Sequence, residues 1–360
     1  MSTLTDRTAG PLARAAVTAT SLWNDSADPD ELRRSIGFGA VGATCNPVIA
    51  YTAIKRHPDV WVPRIRDLAV EHPTWGESQL GWAAVKQLSI EAAGLLEPAF
   101  EASGGRDGRL SIQTDPRLHR DTAALVEQAV EFSQLADNII VKIPATAAGI
   151  AAMEEAAYRG VSINATLSFT VPQALAVGAA LERAIDRREA QGLPDREFGH
   201  VVTIMGGRLD DWLKRWAADA GILTTPGVLD WAGIAALKRA YAMFIERGYR
   251  SRMLSAAFRS HLQFSELVGG DLVISPPFEW QQRINANAIA VDDHRIDAPV
   301  PDRILEELKG LSEFRRAYDP DGMSPGEFEH FGASRNTLRQ FLDADAQLDA
   351  LVRDVIVPAA

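Results

Sequence analysis

Short apolar runs alternate with long Ala- and Leu-rich segments of helical period along most of this chain, a pattern that predicts βα units feeding a parallel sheet. Eight runs read as strands: Thr18–Trp23, Gly39–Thr44, Arg109–Gln113, Asn138–Ile143, Ser162–Thr166, His200–Met205, Arg252–Ala256 and Asp271–Ser275. The segments between them carry helical stripes. Asp121–Gln134 aligns Leu125, Ala129 and Phe132, and Asp230–Arg247 aligns Ile234, Leu237, Tyr241 and Ile245. Glu77–Ala102 is longer than one crossover needs and predicts two helices, broken near Gly94 or Pro98, before the turn Gly104–Gly108 delivers the third strand. Eight such units over roughly 260 residues match a single (β/α)8 barrel, here residues 18–290, of the α/β class.

Outside the barrel the pattern changes. Residues 1–17 read as a flexible arm; Arg7 and Arg14 among Ala and Thr give only a faint hint of a transit segment. Beyond Pro276-Pro277, the Asp- and Pro-rich stretch Asp292–Pro301 reads as a linker. Helices are then expected near Pro301–Lys309, Pro325–Phe331 and Arg335–Val352, so residues 291–360 form a helical extension packed on the barrel. Such an extension would cover the barrel mouth or meet another subunit. Asp319-Pro320-Asp321-Gly322 opens like a calcium loop, but the remaining ligand spacing is wrong and it reads as a turn.

Composition narrows the function. With 46% hydrophobic and 24% charged residues, the 360-residue chain can bury a large core. A formal charge of -11 argues against nucleic acid as the main partner. No apolar run approaches the roughly 20 residues of a membrane span, and there is no secretory h-region, so a cytoplasmic protein is expected. Cys45 is the single cysteine, which excludes an internal disulfide. The seven histidines form no close pair with metal spacing, and neither a P-loop nor a dinucleotide fingerprint is present. No metal and no cofactor are therefore expected. Whether the chain forms a homo-oligomer is open.

The candidate chemistry lies at the ends of the strands, because the C-terminal ends of barrel strands carry active sites. Lys142 stands inside the apolar run Asn138–Ile143, in a chain with only six lysines among 37 basic residues. Loss of hydration disfavours a charged amine, so a lysine placed there gains nucleophilic character. Taken alone it fits better a strand-end residue reaching water or a carboxylate. The other strand ends shift that balance: Asp25, Thr44 and Asn46, Gln113, Asn164 and Thr166, Thr203 with Arg208, and Arg259. An imine-forming aldolase needs a lysine for a ketone, a carboxylate for proton transfer, amides and hydroxyls for sugar hydroxyls, and arginines for a phosphate. Singly, Asn46 before Pro47 is also a common turn pair, and Arg208 or Arg259 could pair with Asp210 or Glu266.

Several of these segments resemble the transaldolase family. Gly42–Pro47 is similar to its second-strand motif, Val141-Lys142-Ile143-Pro144-Ala145-Thr146 to its Schiff-base strand and Ser162–Phe169 to the strand that follows. The likeness continues through Gly207-Arg208-Leu209 and Ala257-Phe258-Arg259, over roughly residues 20 to 280, and the tail looks like that of the longer bacterial members. The resemblance implies a metal-free aldol mechanism on sugar phosphates. Lys142 would form the imine, Asp25 move the proton, Gln113 and Thr166 handle a water, and Asn46, Asn164, Thr44 and Thr203 line the substrate. Arg208 and Arg259 would bind phosphate. Two departures stand out. Gln113 replaces the usual glutamate, as in the fructose-6-phosphate aldolase group, which sets free aldol cleavage or synthesis as the alternative to the expected transfer of a dihydroxyacetone unit. Ala257 replaces a serine beside the phosphate. A barrel that binds a sugar phosphate without catalysis is the alternative of another kind.

Overall fold

The computed structural model describes residues 10–193 and 199–358; residues 1–9 of the expected arm lie outside them. Eight parallel strands close into a barrel in chain order, β1 (Ser21–Asn24), β2 (Ala40–Thr44), β3 (Arg109–Gln113), β4 (Ile139–Pro144), β5 (Ile163–Thr166), β6 (Val201–Ile204), β7 (Arg252–Ala256) and β8 (Leu272–Ser275), with β8 pairing back onto β1. All eight expected strands are present. Their buried apolar runs sit between helices outside and a filled lumen inside, which is why they read as continuous rather than alternating.

The lumen is packed from below. Trp23, Ile140, Val201, Leu254, Ala256 and Val273 form a cluster separate from the larger core under the helices. Gly42 makes room for the indole: a Cβ there would lie 2.4 Å from Trp23 Nε1. Beneath this layer two buried arginines close the floor. Arg252 donates to Ser21 Oγ (3.0 Å), the Arg106 carbonyl (3.0 Å) and Asp107 (3.3 Å), while Arg109 donates to the Gly105 carbonyl (2.7 Å) and Ser162 Oγ (3.1 Å).

Three elements differ from expectation. Glu77–Ala102 is one helix of 26 residues. Pro98 removes a bond to residue 94 and its ring crowds that carbonyl, yet residue 94 is a glycine and both lie on the solvent side. Leu80, Leu88, Ala92 and Leu96 stay buried across the site, so packing overrides the breakers. Residues Pro11–Ala15, inside the segment expected as an arm, form a short helix with Leu12 buried; the Leu12 amide donates to Asn285 Oδ1 at 3.2 Å. The stretch Asp292–Pro301 is docked rather than loose: Ile296 is buried, and its amide donates to the Val268 carbonyl at 3.1 Å.

The C-terminal segment contains helices Asp302–Lys309 and Ser312–Tyr318, a 3-10 turn Pro325–His330 and a long helix Gly332–Ile356. Asp319–Gly322 is a turn closed by the Gly322 amide on the Asp319 carbonyl at 2.9 Å. The long helix packs on Pro47–Arg56, Pro58–Glu71, Glu77–Ala102, Gly206–Asp219 and the 3-10 turn Pro116–Leu118. These follow β2, β3 and β6, so the helix reaches from the β2–β3 side of the barrel to the β6 side. Arg117 clasps it there, reaching Asp115 (2.7 Å), Asp345 (3.1 Å) and Asp349 (3.5 Å). Among the described residues, no helix is long and apolar enough to cross a membrane.

Candidate active site

Gln113, Lys142 and Asn164 are partners in register on β3, β4 and β5, which places three polar side chains side by side at one level of the barrel. Lys142 is 4% exposed. Among the described residues its amine makes no ion pair within 4.0 Å. Burial holds its pKa below the usual lysine value; Asp25 and Cys45 oppose that shift and Arg208 adds to it. The neutral, nucleophilic form is therefore more accessible here than for an ordinary lysine. Cys45 lies in the same neighbourhood, but burial pushes its thiol up to about 12, so it packs as a small neutral group.

The flanking groups are held in fixed orientations. Asn164 donates through Nδ2 to Ser111 Oγ (2.9 Å) and accepts at Oδ1 from the Thr203 hydroxyl (2.8 Å). This fixes which end of the amide faces which neighbour. Asp25, half-buried after β1, accepts from Thr44 Oγ1 at 2.5 Å. Its unexpected neighbour Asn24 is explained by a buried network. Asn24 Nδ2 donates to the Ser26 carbonyl (2.8 Å), and Gln281 Nε2 donates to Asn24 Oδ1 (2.7 Å) and to the Pro276 carbonyl (3.0 Å). Ser35 Oγ donates to Gln281 Oε1 (2.6 Å), so the polar residue ends β1 with its bonding needs met.

Asn46 stands at the start of a helix, as the turn-pair reading expected. Its Oδ1 caps helix Pro47–Arg56 by accepting from the Ile49 amide at 3.0 Å, leaving its NH2 group for another partner. Thr166 is buried at the end of β5, with its hydroxyl 4.0 Å from the Met205 sulfur.

Arg208 and Arg259 come together across two loops. Arg208 is the third residue of helix Gly206–Asp219; Arg259 follows β7 and donates from Nε to Asp211 at 2.8 Å. Burial lowers the Arg208 pKa, the nearby Arg259 lowers it further, and Asp25 and Asp211 act against both. One carboxylate between two guanidiniums leaves an excess of positive charge that suits an anion. The approach is close: a Cβ on Gly207 would lie 2.0 Å from the Ala257 carbonyl oxygen. Ala257 itself has φ +63°, a left-handed conformation unusual for a residue with a Cβ. Gln263 supports the loop by accepting from the Arg259 and Ser260 amides and donating to Asp210 Oδ2 at 3.0 Å. Asp210, its pKa raised by burial, also accepts from the Gly233 amide (2.8 Å). Neither arginine pairs with Asp210 or Glu266, the latter being taken by Arg295 and Lys238.

Several contributors carried no assigned role in the sequence. Ser111 and Ser275 were open to discovery by counting in twos along their strands. Gln113 Oε1, Ser275 Oγ and Arg208 Nε are buried without a hydrogen-bond partner among the described residues, groups of the kind that a polar ligand or water completes. Thr337 and Gln340, which meet Arg208 from the C-terminal helix, had no signal at all. Asp28, Asp30 and His57 bring donor atoms within 4.8 Å of one another, the one such group among the described residues. There Asp28 caps helix Pro29–Gly37 and meets His57 Nε2 at 2.9 Å, which accounts for the cluster.

The sequence profile of transaldolase/fructose-6-phosphate aldolase matches residues 22–313, the whole barrel and the start of the C-terminal helices. The chain belongs to that family. It is an enzyme family, and similar proteins carry the same name. A protein named transaldolase 1 from Streptomyces coelicolor is 33% identical over 253 residues, 66% of this chain and 64% of that protein. A transaldolase from Thiobacillus denitrificans is 30% identical over 319 residues, 82% of this chain and 88% of the relative. A Mycobacterium marinum transaldolase is 30% identical over 243 residues, 65% of this chain and 64% of its own length. Against the Streptomyces and Mycobacterium relatives the aligned part thus falls just short of two thirds of their length.

Proposed function

We propose that the protein transfers a dihydroxyacetone unit between sugar phosphates through an imine on Lys142. The observation that carries this reading is the buried Lys142 amine, without an ion pair among the described residues and flanked in register by Gln113 and Asn164. The amine attacks the C2 carbonyl of a ketose phosphate, and loss of water from the carbinolamine gives the imine. Asp25 accepts the C4 hydroxyl proton as the C3–C4 bond breaks; an aldose phosphate leaves, and a three-carbon enamine stays on the lysine. Asn164, oriented by Ser111 and Thr203, and the spare NH2 of Asn46 hold the hydroxyls of that fragment. The acceptor aldehyde then takes up the enamine carbon, Asp25 returns the proton, and water releases the new ketose. Arg208 and Arg259 hold the phosphate, while Thr166 positions the water. Chemistry of this kind belongs to cytoplasmic pentose phosphate metabolism.

Gln113 supports a second reading. It stands where the resemblance gives transaldolases a glutamate and fructose-6-phosphate aldolases a glutamine, which links the chain to aldol cleavage and synthesis without an obligatory acceptor. One experiment separates the readings. The protein is incubated with fructose 6-phosphate, reduced with borohydride and digested for peptide mass. A three-carbon adduct on the Lys142 peptide is expected, and turnover that requires added erythrose 4-phosphate identifies transfer. Release of aldehyde without acceptor points to free aldol chemistry, and the absence of any adduct with ketose phosphates points to a barrel that only binds.

A further inference from the structure

The C-terminal helix Gly332–Ile356 reaches the proposed anion site through one guanidinium. Arg208 Nη1 donates to Gln340 Oε1 and, at 3.5 Å, to Thr337 Oγ1. Arg208 Nε is buried without a partner, and no bond engages Nη2 among the described residues. A guanidinium is a planar fork, and its Nε–Nη2 edge is the one that meets two oxygens of a single anion side-on. This chain uses that edge elsewhere: Arg295 donates from Nε and Nη2 to the two oxygens of Glu266 at 3.0 and 2.8 Å. In Arg208 the helix takes the remaining nitrogen and leaves the two-pronged edge open.

From this we infer that Gln340 and Thr337 are positioning residues that set phosphate recognition by holding Arg208 with its Nε–Nη2 edge toward the anion. Burial of Arg208 beside Arg259 makes this necessary. Two like charges close together repel, and a long side chain without an anchor would swing away from its neighbour toward solvent. Asp211 steadies Arg259 in the corresponding way, taking its Nε. The two arginines are thus anchored through different atoms, one by a carboxylate within the barrel and the other by neutral acceptors on the extension. A neutral anchor holds Arg208 without cancelling its charge. The inference rests on the reading of Arg208 and Arg259 as a phosphate site, and it adds the C-terminal helix to that site.

The test uses the full-length protein and Gln340→Met, which keeps side-chain length at an exposed helical position and removes the acceptor. Binding of inorganic phosphate is followed by calorimetry, KM and kcat are measured for fructose 6-phosphate, and borohydride trapping is run with unphosphorylated dihydroxyacetone. The expected result is phosphate affinity weakened about tenfold and KM for the phosphorylated sugar raised to match. kcat and trapping of dihydroxyacetone stay as in the unmodified protein, and Thr337→Val gives a smaller effect in the same direction. Phosphate affinity that is unchanged or improved in Gln340→Met overturns the inference, as does an equal loss of dihydroxyacetone trapping. If the unmodified protein traps no dihydroxyacetone while the substitution still weakens phosphate binding, the Lys142 reading fails and the role of Gln340 stands.

Discussion

The Thr44 hydroxyl donates to Asp25 Oδ1 across 2.5 Å, tying the end of β2 to the residue after β1 at the barrel mouth. The bond fixes one oxygen of a half-buried carboxylate and leaves the other to meet a substrate. Thr44→Val keeps the shape of the side chain and removes the donor. The loss expected is about 1.5–3 kcal/mol of stability, the value of a hydrogen bond to a charged group. Turnover is expected to fall by roughly tenfold as the carboxylate loses its orientation, with Thr44→Ser restoring most of it. Thermal unfolding and steady-state kinetics of the two variants check this.

Lys142→Met should abolish the borohydride adduct and lower turnover by more than about a thousandfold. Its effect on stability has the opposite sign. Burial lowers the lysine pKa in the folded state, so the unfolded chain binds more protons in the interval up to the ordinary value of 10.5. The wild type therefore carries a penalty that is complete below its folded pKa and fades as pH approaches 10.5. The methionine variant is expected to melt higher than wild type at neutral pH, with the two curves converging under alkaline conditions. A variant that melts lower at pH 7 would show the amine to be stabilised in its charged form.

Gln113→Glu would set a carboxylate beside Lys142 in the adjacent strand. An opposite charge at that range favours the ammonium form by about one pKa unit or more. Imine formation needs the free amine, so the acidic limb of the trapping profile should move to higher pH by a similar amount. Trapping with dihydroxyacetone between pH 5 and 10 measures it; an unmoved limb would place residue 113 outside the reach of the lysine.

Asp345 faces two other carboxylates, Asp115 and Asp349, around the single Arg117. Burial, reinforced by Asp115, raises its pKa to about 7 from an ordinary 3.8, against the pull of Arg117. The folded state binds the extra proton, so the cost of ionising Asp345 grows as pH rises from about 4 to about 7 and is complete above that. Asp345→Asn is expected to stabilise the protein by roughly 1–3 kcal/mol at pH 8 and to lose that advantage near pH 4. Denaturant melts at the two pH values give the answer.

The barrel was legible because each strand is buried on both sides and reads as an apolar run, and because polar residues such as Lys142, Asn164 and Gln113 interrupt those runs at one end. Other features depended on contacts that leave no local trace. Gly94 and Pro98 read as a break, but both face solvent and the buried stripe of Leu88, Ala92 and Leu96 holds the helix together. Helix Ser312–Tyr318 is only seven residues long, too short for its Phe314 and Ala317 to establish a period. The bond between Arg208 and Gln340 joins residues 132 apart, and Gln340 on its own looks like an ordinary surface group.

The floor built by Arg109, Arg252 and Trp23 has a kinetic implication. Packed side chains lie beneath the lysine among the described residues, so reactants and products of the proposed reaction would share the mouth, where the long helix also reaches Arg208. In a transfer reaction the first aldehyde must vacate the vestibule before a second sugar reaches the carbon left behind. A captured fragment then has to survive an interval with no partner present, and its lifetime in that interval decides between handing it on and losing it to water.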